Sequence, residues 1–95
     1  MRVIGKKELY DFAQQHADVA PQIDAWISEA EEAEWRSPLE LKQRYPQASI
    51  LPMKQVVFNL KGNRYRLLTI ISFKNQTVLV ERIGTHAEYS RWKVD

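Results

Sequence analysis

The run Val56-Val57-Phe58-Asn59-Leu60-Lys61-Gly62-Asn63-Arg64-Tyr65-Arg66-Leu67-Leu68-Thr69-Ile70-Ile71-Ser72-Phe73 decides the fold. Its β-branched and aromatic residues fall into two runs, 56–61 and 64–73, and Gly62-Asn63 between them is a turn pair. Lys74-Asn75-Gln76 makes a second turn, and Thr77 to Ile83 reads as a third strand that Gly84 is expected to end. Two tight turns joining three strands predict an antiparallel meander. Arg2-Val3-Ile4 adds a candidate short edge strand.

Upstream of the meander the period changes from two to that of a helix. From Lys6 to Ala17, Leu9, Phe12, Ala13 and Ala17 recur at helical spacing. Pro21 suits the first turn of a second helix, whose apolar stripe is Ile23, Trp26, Ile27 and Ala30 and whose solvated side is Glu29, Glu31, Glu32 and Glu34. Ser37-Pro38-Leu39-Glu40 is an N-terminal signature, with a serine cap, a proline at the first helical position and a capping-box carboxylate. This third helix should run to about Tyr45, where Pro46 stops it. Beyond the meander, Thr85-His86-Ala87-Glu88 has the same capping pattern and predicts a short C-terminal helix carrying His86, Tyr89 and Trp92. The expectation is one α+β domain over residues 1–95, with N-terminal helices packed on a three- to four-stranded antiparallel sheet.

Composition narrows the chemistry. A chain of 95 residues fits one small domain. With no cysteine it has no disulfide, no thiolate zinc site and no thiol nucleophile, which suits a reducing cytoplasm. No membrane segment is read: the longest apolar run, Leu67 to Ile71, is broken by Thr69. The net charge of +2 conceals an asymmetry. Residues 1–53 carry six Lys/Arg against nine Asp/Glu, a balance of −3, whereas residues 54–95 carry eight against three, a balance of +5. The basic half points to an anionic partner.

Within that half, strand alternation puts Arg64, Arg66, Leu68 and Ile70 on one face, and Tyr65, Leu67, Thr69, Ile71 and Phe73 on the other. Two arginines at i, i+2 present planar, permanently charged forks suited to phosphate oxygens. Lys61 and Asn59, across the turn, could extend that basic edge. Histidine titrates near neutral pH, so His86 is a candidate for proton transfer, with Tyr89 three residues on. His16 reads as an ordinary residue of an amphipathic helix, and Trp26 and Trp35 as packing residues. Three glycines include no Walker or dinucleotide motif, no pair of histidines has ligand spacing, and the acidic residues of the basic half, Glu81, Glu88 and Asp95, form no evident metal cluster, so no metal and no cofactor is expected. A nuclease built from Arg, Lys, His and Tyr stays open, one that uses the RNA 2′-hydroxyl as internal nucleophile.

Several landmarks occur together: Trp35-Arg36-Ser37-Pro38, Glu40-Leu41-Lys42, Ala48-Ser49, the segment Val57 to Leu67, and Gly84-Thr85-His86-Ala87-Glu88-Tyr89. In this order and spacing the chain resembles the HigB family of type II toxin–antitoxin toxins. The resemblance implies a RelE-like fold and a metal-independent mRNA endonuclease acting on translated messages at the ribosome. It also implies neutralisation by a HigA-type helix-turn-helix antitoxin, with operator DNA contacted only through that antitoxin. Carried over by motif, Arg66, His86 and Tyr89 are the expected catalytic residues, and Lys61, Asn63, Arg64, Arg82, Arg91 and Lys93 the expected RNA-binding ones. Ser90 and Glu81 depart from the family pattern, which often has Asp at the first position and a basic residue at the second. The alternatives are a non-cleaving RNA- or ribosome-binding module, and a degenerate toxin kept for antitoxin binding and transcriptional autoregulation.

Overall fold

The computed structural model describes residues 1–92. In chain order these form β1 (Arg2–Ile4), α1 (Lys6–Gln15), a 3₁₀ turn (Ala17–Val19), α2 (Ala20–Glu32), α3 (Pro38–Arg44), β2 (Ser49–Ile50), β3 (Gln55–Leu60), β4 (Tyr65–Ser72), β5 (Thr77–Thr85) and α4 (His86–Tyr89). The strands make one sheet in the order β1-β5-β4-β3-β2.

The α+β class and the β3–β4–β5 meander are as expected, but the sheet has five strands and is mixed. The first difference is β1, which pairs with β5 in parallel, Val3 opposite Val78. The second is β2, whose two residues pair antiparallel with Val56 and Val57. Its turn into β3 is made without glycine, by Met53 and Lys54 at φ of 62° and 64°, so the usual turn residues did not announce it. The third is β5, which runs through Gly84 to Thr85 instead of ending at Gly84.

The helices cover one face of the sheet. Leu9, Ile23, Trp26, Ala30 and Leu41 meet Phe58, Leu67, Ile71, Val78, Val80 and Ile83 in a single buried cluster. Aromatic edges link its parts: Trp26 lies edge-on to Phe58 at 5.3 Å, Tyr45 to Phe58 at 5.1 Å, and Trp35 to Tyr45 at 6.0 Å. Each such pair adds about 0.5–1.5 kcal/mol beyond its buried area. Ser37 caps α3, accepting the Glu40 N–H at 3.3 Å, while Glu40 returns to the Arg36 N–H at 3.1 Å.

Alternation along β3 and β4 leaves Val57, Asn59, Arg66, Leu68 and Ile70 on the face away from that cluster. Strand β5 keeps step only because of a bulge. Leu68 pairs with Arg82 and Thr69 with Val80, so Glu81 is the extra residue. The bulge lets Val80 and Ile83 both face the core and turns Arg82 and Gly84 to the same side as Arg66.

Candidate functional site

Arg66 lies near one end of β4, between Asn59 of β3 and Gly84 of β5. Its Nη1 donates to the Asn63 carbonyl at 2.9 Å, across the Gly62-Asn63 turn. The Asn59 amide donates to the Asn63 side-chain oxygen at 3.2 Å and ties the same turn to β3. The Arg66 guanidinium also stands 5.4 Å from the centroid of the Tyr89 ring. A backbone acceptor on one side and an aromatic face on the other hold the fork in one orientation.

Helix α4 supplies that ring. Thr85 and Glu88 form a reciprocal capping box: the Thr85 hydroxyl accepts the Glu88 N–H at 3.1 Å, and the Glu88 carboxylate accepts the Thr85 N–H at 2.8 Å. That second bond is the main cause holding the Glu88 carboxyl below its ordinary pKa, with smaller contributions from the Thr85 hydroxyl, His16 and Arg91. His86 occupies the first helical position and is exposed, and its N–H donates to the Arg64 carbonyl at 2.9 Å. His86 and Tyr89 stand three apart, so one side of the turn presents both.

Gly84 allows this helix to lie against the sheet. A Cβ at that position would sit 2.8 Å from the Trp92 ring and 3.0 Å from the Glu88 carboxylate. Trp92 also packs edge-on to Tyr89 at 5.5 Å, and the Arg82 guanidinium lies 5.2 Å from the Trp92 ring centroid. The result is two arginine–aromatic pairs side by side, Arg66 with Tyr89 and Arg82 with Trp92.

Other expected residues are placed differently. Asn63, Arg64, Arg82 and Arg91 are exposed around this end of the sheet. Lys61 turns away: at φ of 49° it leaves the strand, and its ammonium contacts the Asp18 carbonyl at 3.2 Å and the Asp18 carboxylate at 3.3 Å. Lys93 lies outside the described residues. Among the described residues no group of three or more His, Asp or Glu could hold a metal ion, and no helix is long and apolar enough to cross a membrane.

Support for this end of the sheet also comes from the helical face, where no sequence pattern announces it. Tyr65, whose cross-strand neighbour is Thr85, donates its hydroxyl to both Asp18 oxygens at 2.9 Å. This bond, more than Lys61, holds the Asp18 carboxyl below its ordinary pKa, and the same bond pushes the Tyr65 hydroxyl up. His16 stacks on Phe12 at 4.1 Å and meets the Tyr65 ring edge at 5.6 Å. Asp18 and Tyr65 are 47 residues apart, a separation that no local pattern bridges.

Comparison with known proteins identifies the family. A family model, HigB_toxin, the RelE-like toxic component of a toxin–antitoxin system, matches residues 19–92. The mRNA interferase toxin HigB of Escherichia coli K12 is 26% identical over 91 residues, covering 94% of this chain and 88% of the relative. The mRNA interferase HigB proteins of Escherichia coli O157:H7 and Shigella flexneri are similar to the same extent.

Proposed function

The chain belongs to the HigB family of RelE-like toxins, and from that premise we propose that it is a metal-independent mRNA endoribonuclease. The observation that carries this reading is the Arg66 fork, fixed between the Asn63 carbonyl and the Tyr89 ring beside the helix that bears His86. A fixed cationic fork is suited to the non-bridging oxygens of a phosphate as negative charge grows on them. The ribose 2′-hydroxyl loses its proton and attacks the adjacent phosphorus, the P–O5′ bond breaks, and the leaving oxygen takes up a proton. The products are a 2′,3′-cyclic phosphate and a 5′-hydroxyl. His86 is exposed at the open end and serves proton transfer, Tyr89 orients Arg66 and the RNA, and Arg64, Arg82 and Arg91 attract the backbone.

In this reading the open surface around Arg66 is completed by translated mRNA on the ribosome, and a HigA-type helix-turn-helix antitoxin neutralises the toxin in the cytoplasm; membership of a toxin–antitoxin family supports an antitoxin partner. Induced expression should arrest growth, and Arg66→Ala or His86→Ala should relieve the arrest. Primer extension on a translated message should show cuts with the wild type and none with Arg66→Ala. Intact transcripts in cells arrested by the wild type would instead favour a non-cleaving, ribosome-binding protein.

A further inference from the structure

Beside Asn59, on the uncovered edge of β3, the sheet carries a gap that is built in. The Leu51 N–H donates to the Gln55 carbonyl at 2.9 Å, and Ser49 pairs with Val57 in the same phase. That alternation turns the peptide groups of Gln55, Val57 and Asn59 toward β2, and the next partner of Asn59 in register would be Gln47. The pairing stops short of it. The Ala48 N–H bends back to the Tyr45 carbonyl at 3.0 Å, and the Lys42 ammonium draws in the Pro46 and Ala48 carbonyls at 2.9 and 2.8 Å.

Where the next ladder bonds would form there is a cleft of about 290 Å³, lined among others by Arg44, Tyr45, Gln47, Phe58, Asn59 and Gly62. Its chemistry is that of a base-reading site. Tyr45 supplies an aromatic wall, and the Arg44 guanidinium lies 4.7 Å from its centroid, held in place by Glu29. Gln47 supplies a side-chain amide, and the outward Asn59 peptide supplies a donor and an acceptor side by side. Such adjacent donors and acceptors match the edges that an unstacked nucleobase presents, and aromatic and guanidinium planes are the surfaces on which such bases stack. Gly62 stands at its rim, where the space beside the backbone is open.

Asn59 is also the cross-strand partner of Arg66, so the cleft begins about two strand spacings, roughly 10 Å, from the strand that bears Arg66. We propose that this cleft receives one unstacked nucleobase of the RNA whose phosphate lies on Arg66, and so sets which base stands next to the cut. The inference rests on the RNA-cleaving reading above.

The test separates the two. His86→Ala protein, which keeps Arg66, is titrated with the 3′-monophosphates of adenosine, guanosine, cytidine and uridine while backbone amide NMR signals are followed. Shifts at Gln47, Asn59 and Gly62 that differ with the base are expected. Gln47→Trp, a change at an exposed residue that fills the cleft, should abolish those shifts and leave the rest of the spectrum in place. In parallel, mapping of RNA ends after expression should show that Gln47→Trp alters the base preference at one position beside the cut at least tenfold. Shifts that are equal for all four bases, shifts that survive Gln47→Trp, or an unchanged cut-site distribution would overturn the inference. A wild type that cuts no RNA sinks the nuclease reading and with it the link to the cut site, whereas base-dependent shifts abolished by Gln47→Trp still support the cleft as a base site, because they are read without cleavage.

Discussion

Substituting Gly84 with alanine should separate activity from stability. Gly84 is not among the residues at positive φ, so alanine meets no backbone obstacle there. The conflict is steric: the new methyl would stand 2.8 Å from the Trp92 ring, where carbon atoms pack at about 3.5–4.0 Å. The shortfall is about 1 Å, and the opposing atoms are the Trp92 ring just beyond α4 and the capping carboxylate of Glu88, so the contacts that seat α4 on the strand are displaced by about that much. No residue of α4 is buried, so the fold loses little. A cost of about 1 kcal/mol or less would lower the melting temperature by a few degrees. Catalysis should suffer far more, because a misplacement of about 1 Å can reduce a rate about 100-fold. Thermal denaturation is paired with cleavage of a translated message, and the Trp92 indole NMR signal reports whether the helix has shifted. Phe58→Ala, deep in the core, supplies the opposite pattern, with a stability loss of about 3–5 kcal/mol. Gly84→Ala protein that cuts like the wild type, or that unfolds as readily as Phe58→Ala, would refute the placement of α4 as the element that aligns the site.

Arg66→Lys keeps the charge but replaces a fork by a point charge, which cannot both bond the Asn63 carbonyl and lie over Tyr89; cleavage should fall about 100-fold or more with stability changed by no more than about 0.5 kcal/mol. Thr85→Ala removes one arm of the α4 capping box, a loss of about 1 kcal/mol local to that helix, so hydrogen exchange at Glu88 and Tyr89 should quicken while core amides stay protected. The Asp18 carboxyl is held below its ordinary value, so the stability from its contact with Tyr65 is fully present above that ordinary value and is lost as pH falls through the lowered one. Urea denaturation of wild type and Tyr65→Phe should therefore show a gap at neutral pH that closes in strong acid; a gap that persists there would argue against the ion as the bonded form.

The meander and the helix caps were legible because their causes are local. Gly62-Asn63 marks the turn, with Gly62 at φ of +66°, although the loop also takes in Lys61 and Arg64, which the sequence pattern places in the strands; both Ser37 and Thr85 cap as their spacing to Glu40 and Glu88 requires. The pairing of β1 with β5 was not legible in its direction, since Val3 and Val78 lie at opposite ends of the chain. Alternation placed Arg66 opposite Tyr65 and Leu67 correctly, yet it carried Lys61 onto the same edge. The left-handed backbone at Lys61 breaks the alternation, and the nearby Asp18 carboxylate takes the ammonium. The Arg66–Tyr89 and Arg82–Trp92 pairs were equally hidden, because they arise only when Gly84 lets the last helix lie flat.

The bulge at Glu81 has a consequence for how this strand tolerates change in length. Because Glu81 stands between Arg82, opposite Leu68, and Val80, opposite Thr69, its removal would join two residues that already face the correct sides. Elsewhere in β5, dropping a residue would turn half the strand over, taking either Val78 and Val80 out of the core or Arg82 and Gly84 into it. Glu81 thus acts as a slack link. It divides the strand into one length whose phase is locked by β1 and another that carries the Arg66 neighbourhood. A shortened chain lacking it should fold with a straighter strand, and its α4 would meet Arg66 at a different angle.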